Sequence, residues 1–585
     1  MKFCKKVVFA VLIVLMIGIP PFGSVSTARL NTVSKENYII LTTKNLLKAA
    51  TLFKNYRENE YNVHIVTLSD IRSNKARDIR LYLKKHFTNG YLLIVGSEKT
   101  IPRPAMYPSE KEHNISFDSP GKTETDLYYG LLSENIDEDG DGFPGEFYND
   151  DIKISPNLIV GRIPFDNENI VEKAFYDTVK FEKDSPSKAV LAASFISYPG
   201  ELYQGVKIFN GDGAREEELI SRLLPVRTVK LYNKSGDFPS IYDATLPLNK
   251  ENFYSEITNA GFTDWVAHGS REAAYNDIWF DRNKNGIPDD GNEFKSFISA
   301  DDSFKANGIF FSGSCLNENG NSNLGTALLE KGAVSFIGST EISFSPSYFA
   351  KSSDGGTGSI NYYFVKNLVN GETVGKALYD SFQYFFNNFI FGDIEDPVEG
   401  SLMDIYDYNI YGDPALRWHF KVSKTKNHKN YGKSPVSFGI KSGKNIEITL
   451  NIPKKENLFF IFPPDNLLIT KVSVSSAIID NNFGIIRLNG VSGIVTIYGR
   501  VRGNLNGLLK VEDGTGISIK TINVKGYDLK DFNFDGKVNE TDTSIFYKNF
   551  GKTYMSPTFN KLCDLNFDHK TDGTDLFLFI KKGPA

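Results

Sequence analysis

The chain is poor in cysteine, with three in 585 residues: Cys4, Cys315 and Cys563. That excludes the disulfide framework on which small secreted domains rely. Charge of one sign is also lacking. The net charge is −5 and the basic residues are scattered, which argues against a nucleic-acid partner. Beyond the N-terminus no apolar run reaches the roughly 20 residues that a bilayer span needs. What is present is ordinary for a globular protein: 41% hydrophobic and 23% charged residues. The length exceeds what one core can serve, so about two to four domains are expected.

The N-terminus reads as a targeting segment. Lys2, Lys5 and Lys6 precede an apolar stretch from Val7 to Ile19, and Pro20-Pro21 end it. Ser26 and Ala28 then give a small-residue cleavage pattern. Residues 1–28 are therefore expected to be a secretory signal, and the mature protein to be secreted, extracellular and without a membrane span. Cys4 leaves with the signal. Two cysteines remain with no framework to explain them, and a reactive thiol is one reading of Cys315.

Organisation follows from periodicity. From Asn37 to Ser97, "NYIILTT", "YNVHIVTL" and "YLLIVG" alternate with amphipathic helical stretches. That pattern predicts a parallel sheet with helices on its faces, an N-terminal α/β subdomain over 29–187. A second α/β subdomain is expected over 188–420, followed by a basic linker over 421–435. Helix signals vanish over 436–524, where short alternating strands predict an Ig-like β-sandwich. Residues 526–585 form a last module.

That module repeats a calcium loop. In "DFNFDGKVNETD", Asp531, Asn533 and Asp535 occupy positions 1, 3 and 5, Lys537 offers its carbonyl and Asp542 closes the loop. In "DLNFDHKTDGTD", Asp564, Asn566, Asp568, Lys570 and Asp575 fill the same places, with His569 where the turn glycine would sit. Hard oxygen donors at alternate positions on a tight loop suit Ca²⁺. Two acidic loops earlier in the chain show similar spacing: Asp137, Asp139, Asp141 and Glu146, then Asp281, Asn283, Asn285 and Asp289. Both are expected to be structural calcium sites; a solvated turn is the alternative.

The duplicated loop resembles a type I dockerin, the module that docks on cohesin domains of a cellulosome scaffold. The resemblance implies a cohesin partner contacted through Glu540-Thr541 and Gly573-Thr574 at loop positions 10 and 11.

Two other stretches carry the chemistry. "TDWVAHGSRE" and "IFFSGSCLNENG" are apolar strands that end in Gly-rich turns, presenting His268 and Cys315. In open α/β sheets, sites gather at the carboxyl ends of strands. An imidazole beside a thiol can generate the thiolate and return a proton to the leaving amine. "HGS" and "SC-L-N", with "YLLIVG", "DEDGDGFPGE", "LIVGRIP", "VSFIGSTEISFS" and "YGDPAL" in the same order, resemble the gingipain family of cysteine peptidases, which has a caspase-like fold. The resemblance implies an endopeptidase acting on polypeptides, with Cys315 as nucleophile and His268 as general acid/base. Gly269 and Cys315 would supply the oxyanion N–H groups. Asp212, by analogy a basic-P1 determinant, and Phe344 would line the substrate pocket. The family's assisting Glu has no counterpart in "AVLAASFISYPGE", so a Cys/His dyad is expected. A cellulosomal polysaccharide-degrading enzyme and a degenerate accessory binding subunit are the alternative readings.

Overall fold

The computed structural model describes residues 35–581, apart from 109–121, 148, 198–200, 204–205, 209–210, 238, 241, 281, 283–292, 344–355, 390–398, 423–433, 464–465, 482–484, 514–515, 553–557, 559 and 566–570. The first α/β half contributes strands β1 (Asn37–Thr42), β2 (Asn62–Thr67), β3 (Gly90–Val95) and β4 (Leu158–Ile163). Helices α1 (Leu47–Arg57), α2 (Ala76–His86) and α3 (Glu168–Lys183) cover them. The second half contributes β5 (Lys188–Ala193), β6 (Arg227–Tyr232), β7 (Leu246–Pro247) and β8 (Phe262–Val266). A small antiparallel sheet follows, of β9 (His268–Ser270), β10 (Ala273–Ile278) and β11 (Glu293–Ser299). The chain then returns to the main sheet as β12 (Gly308–Gly313), β13 (Ala333–Ser339) and β14 (Tyr408–Gly412). Helices α4 (Ala214–Leu223), α5 (Lys250–Ile257), α6 (Leu324–Glu330), α7 (Gly356–Val369), α8 (Val374–Phe389) and α9 (Glu399–Asp407) belong to this half.

The two halves share one eleven-stranded sheet, in the order β7-β6-β5-β8-β12-β13-β14-β4-β3-β1-β2. Strand alternation divides β1 between two apolar layers. Tyr38 and Ile40 point to one and Ile39 and Leu41 to the other, which is why the strand reads as a continuous apolar run. The joint is β14, antiparallel to β13 and parallel to β4. Just past it, Asp413 accepts hydrogen bonds from Tyr38 Oη and Arg57 Nε, both at 2.8 Å. Arg57 also pairs with Glu182 at 3.0 Å. These charges are buried, so each depends on its partner.

One buried group lacks such a partner. Glu217 on α4 is fully buried, and neither carboxyl oxygen has a hydrogen-bond partner. Burial, and then the carboxylates of Asp264 and Glu216, push its pKa well above the usual range. A carboxyl raised in the folded state contributes stability below its unfolded pKa, and this is lost as pH rises through the folded value. Glu217→Gln keeps the shape without the titrating proton. The melting temperature of this variant is therefore expected to exceed wild type by roughly 2 °C at pH 8 and to match it near pH 5.

The region after the linker has strands β15 (Ser437–Lys441), β16 (Asn445–Ile461), β17 (Leu467–Val472), β18 (Ala477–Asp480), β19 (Ile485–Val501), β20 (Asn504–Asp513) and β21 (Gly516–Lys525). The sequence reads as uniformly short strands here, but β16 and β19 each run 17 residues. They bend where the register slips between Ile452 and Leu458, so one seven-stranded sheet folds over a single apolar core. Phe459 and Ile461 pack against Ala193, Leu219 and Tyr242 of the α/β region. Arg487 stacks 3.8 Å from the Tyr242 ring centroid at the same joint.

Helices α10 (Glu540–Asn549) and α11 (Gly573–Ile580) form the last module. Arg502 of the β-domain, almost fully buried, donates from Nη2 to the carbonyls of Leu529 at 2.9 Å and Leu562 at 2.7 Å. The module is thus seated on its neighbour. Among the described residues no helix is long and apolar enough to cross a membrane.

Candidate active site

Strands β8 and β12 are parallel neighbours, with Trp265 beside Ser312 and Val266 beside Gly313. Just past these paired ends the chain carries His268 on one strand and Cys315 on the other. Ala267 N–H extends the ladder to Gly313 O at 3.1 Å. On the other side of β8 lies β5, with Val266 beside Ala193. Three adjacent strand ends thus converge.

The third end supplies a backbone group. His268 Nε2 lies 2.9 Å from the carbonyl oxygen of Ile196. A carbonyl can only accept, so the neutral ring carries its proton on Nε2 and keeps its lone pair on Nδ1. Phe294 meets the ring edge-on at 5.2 Å. Burial lowers the His268 pKa below the ordinary imidazole value, opposed by the charge of Asp277 and by the Ile196 bond. Cys315 is half-buried and not in a disulfide. Burial raises its thiol, opposed by hydrogen bonding to Ser343, with a smaller upward contribution from Asp407 and Asp404. Both shifts favour the uncharged form of the side chain concerned.

The two turns touch. A Cβ at Gly269 would lie 2.4 Å from Cys315 O and 3.0 Å from Cys315 N, so only glycine allows this approach. Leu316, directly after the cysteine, has φ +65°, rare for a branched residue and a local strain that turns the chain sharply. Its N–H is held by Glu341 O at 2.9 Å. Cys315 Sγ lies 3.8 Å from Ser343 O.

A residue that sequence reasoning does not single out locks the turns together. Asn317 is fully buried. Its Oδ1 accepts from the hydroxyls of Ser312 and Ser314, both at 2.7 Å. Its Nδ2 donates to the carbonyls of Ser270 at 2.5 Å and Ala273 at 3.2 Å, which close the β9–β10 hairpin. Trp265 Nε1 completes the network on Ser314 Oγ at 2.9 Å. Asn317→Ala would leave several buried groups unpaired and free the hairpin. We expect kcat/KM to fall about 100-fold and stability by about 2 kcal/mol, read by peptide hydrolysis and thermal melting.

The remaining predicted residues are dispersed. Asp212 pairs with Phe195 on a short ladder next to Ile196. It accepts from Ser240 Oγ at 2.8 Å and from Ala214 N–H at 3.0 Å. Burial pushes its carboxyl up to about 6. Phe344 lies outside the described residues, as do Asp281, Asn283, Asn285 and Asp289, and Asn566, Asp568 and Lys570. The first acidic loop does converge. Ligand oxygens of Asp139, Asp141 and Glu146 lie within 4.8 Å of one another, as do those of Asp137, Asp139 and Asp150. Asp150 escapes a reading of the sequence because it lies beyond the alternating run. Glu146 and Asp150 are buried, and the donor set is all hard oxygen, which fits Ca²⁺.

The two terminal loops share one hydrogen-bond pattern. Phe532 N–H donates to Asp542 Oδ1 at 2.8 Å and Asn539 N–H to Oδ2 at 2.9 Å. Leu565 and Asp572 do the same to Asp575 at 2.6 and 2.8 Å. In the first loop Asp535 and Gly536 donate to Asp531 at 3.1 and 2.8 Å, and Lys537 to Asp535 at 2.8 Å. The carboxylates are thus gathered inward, and Asp531, Asp542, Asp564 and Asp575 are buried.

The fold is mixed α/β with a caspase-like peptidase region, and the chain belongs to peptidase family C25, whose pattern matches residues 31–419. Residues 529–582 match the dockerin type I domain. A solved structure described as "Structure of Protease" is 12% identical over 84% of this chain and 97% of its own, with a TM-score of 0.43, too low to carry an argument. No curated protein matches.

Proposed function

We propose that the protein is a secreted cysteine endopeptidase in which Cys315 attacks the scissile carbonyl and His268 moves the proton. The observation that supports it most is the meeting of three strand ends, with Ile196 O fixing the imidazole tautomer. The thiol proton passes to His268 Nδ1 as sulfur attacks, and the imidazolium then gives it to the leaving amine. Gly269 and Cys315 N–H groups are the donors for the oxyanion. Gly269 sits opposite Ala274 in a hairpin closed by Arg271 and Glu272, so the ladder's alternation turns its N–H outward. Water then hydrolyses the thioester.

A neutral resting pair sets the pH dependence. Activity requires unprotonated His268, whose pKa is depressed by burial. The acidic limb of kcat/KM is therefore expected below the ordinary imidazole value of about 6.5. A pH series with a fluorogenic peptide checks this; a limb at or above that value contradicts it. Asp212 is the candidate for binding a basic P1 side chain, and KM for such substrates should drop as pH rises through about 6.

The dockerin region would hold Ca²⁺ through Asp531, Asn533, Asp535, Lys537 and Asp542, and through Asp564, Asn566, Asp568, Lys570 and Asp575. The ion gathers these oxygens and orders the helices that meet a cohesin of a cellulosome scaffold. Asp137, Asp139, Asp141, Glu146 and Asp150 would hold another Ca²⁺ in the peptidase region.

A further inference from the structure

The imidazole of His268 has a charged neighbour that the thiol–imidazole pair does not itself require. In the β9–β10 hairpin His268 stands opposite Tyr275. Asp277 is two residues farther along β10 on the same face, which makes it the diagonal cross-strand neighbour of His268. It is fully buried. Its position is held from three sides. Its N–H donates to Ser194 Oγ at 2.7 Å, and its carbonyl accepts from Asn233 Nδ2 at 2.5 Å. Its Oδ2 accepts from Trp279 Nε1 at 3.0 Å. Ser194 and Asn233 directly follow β5 and β6, so the backbone of Asp277 is anchored to the rim of the main sheet that also carries Ile196, and the indole of Trp279 orients its carboxylate.

We propose that Asp277 is the positioning carboxylate of the site: from across the hairpin it stabilises the imidazolium that forms on His268 when Cys315 loses its proton. The proposal rests on the cysteine-peptidase reading above. No proton reaches Asp277. The thiol proton moves to Nδ1, Nε2–H stays on Ile196 O, and the ring becomes a cation in a buried setting that would otherwise oppose it. A fixed negative charge nearby offsets that cost. The charge of Asp277 favours the cationic ring, against the burial that opposes it. On the thiol side burial opposes the thiolate, hydrogen bonding to Ser343 favours it, and Asp407 and Asp404 act against it, so a nearby imidazolium would add to that support. The end of β5 carries no acid, so the sequence alone predicts an unaided dyad; the charge comes instead from a strand after the histidine.

The test compares the full chain with Asp277→Asn and Asp277→Glu. Both kcat/KM for a peptide and the rate of Cys315 alkylation by iodoacetamide are followed against pH. For Asp277→Asn we expect kcat lower by roughly 10- to 100-fold, KM within about twofold, and an acidic limb moved to lower pH because imidazolium is less favoured. Alkylation near neutrality should slow for the same reason. Asp277→Glu, which keeps the charge, should return the limb toward wild type. An unmoved limb and alkylation profile in a folded Asp277→Asn overturn the proposal. If that variant does not fold, Trp279→Phe carries the test. It removes the indole donor, leaves more of the negative charge for the ring, and should move the limb upward; no movement overturns the proposal. Alkylation needs no turnover, so an inactive wild type would count against the peptidase reading while the alkylation profiles still decide the role of Asp277.

Discussion

Replacing Cys315 by Ala is expected to abolish peptide hydrolysis, lowering kcat by about 10⁴-fold or more. His268→Ala should do nearly the same, and the double variant little worse than either, because the two residues act as one unit. The size of the effect follows from the chemistry. Without sulfur there is no covalent intermediate, and neither Ser312 nor Ser314 can substitute, since both hydroxyls are committed to Asn317. Fold should survive. Cys315 is half-buried, and Ala removes one sulfur that stands a distant 3.8 Å from the Ser343 carbonyl. Melting temperature should change by less than about 2 °C, so a dead but folded variant isolates the chemistry. Hydrolysis of arginine- and lysine-ended fluorogenic peptides is the measurement. Reducing sugar released from plant polysaccharide, unchanged in the variant, would point instead to a polysaccharide-degrading enzyme.

Removing calcium is expected to unfold the C-terminal module and to weaken cohesin binding by about 1,000-fold or more. The reason is the size of its core. Among the described residues, its fully buried apolar cluster is Phe532, Phe546, Cys563 and Leu565, with six partly buried apolar side chains such as Ile545 and Phe579 against it, a small core for an independent module. Against it stand four buried carboxylates, Asp531, Asp542, Asp564 and Asp575, whose mutual repulsion needs a cation. Chelation should therefore erase the helices Glu540–Asn549 and Gly573–Ile580 from the circular dichroism spectrum. Asp531→Ala together with Asp564→Ala should do so even with calcium present. The peptidase region loses less, because its sheet is buried between two large apolar layers. Retained cohesin affinity in chelator would contradict this account of the module.

Much of this arrangement is legible in the sequence. Apolar runs of five to seven residues give the central strands, and Gly-rich turns mark their ends at His268 and Cys315. Equal spacing then becomes adjacency because the strands are parallel and in register. The calcium loops are equally plain, since ligands at alternate positions need no tertiary context. The unread parts are those made by the fold. Ile196 contributes a carbonyl, which any residue has. Asp277 and Asp150 arrive from beyond the local pattern. Asn317 stands within the "SCLN" stretch, but its role depends on carbonyls of a hairpin 44 and 47 residues away. The hairpin itself escapes notice because β9 is three residues long. Likewise the two α/β halves read as separate subdomains, because the strand that joins their sheets, Tyr408–Gly412, lies at the far end of the second half, about 245 residues after the first-half strand it pairs with.

The most direct measurement is labelling of the intact protein by a peptidyl chloromethyl ketone, followed by peptide mapping. Two cysteines, Cys315 and Cys563, compete for the reagent among the described residues. Cys563 is fully buried, with a thiol pushed up to about 12, whereas Cys315 stands half-buried, its backbone against Gly269. The account predicts one label per chain, on Cys315, with hydrolysis lost in step with labelling and labelling strongly slowed in His268→Ala. Full hydrolysis after Cys315 is labelled, or equal labelling of Cys563, would contradict it.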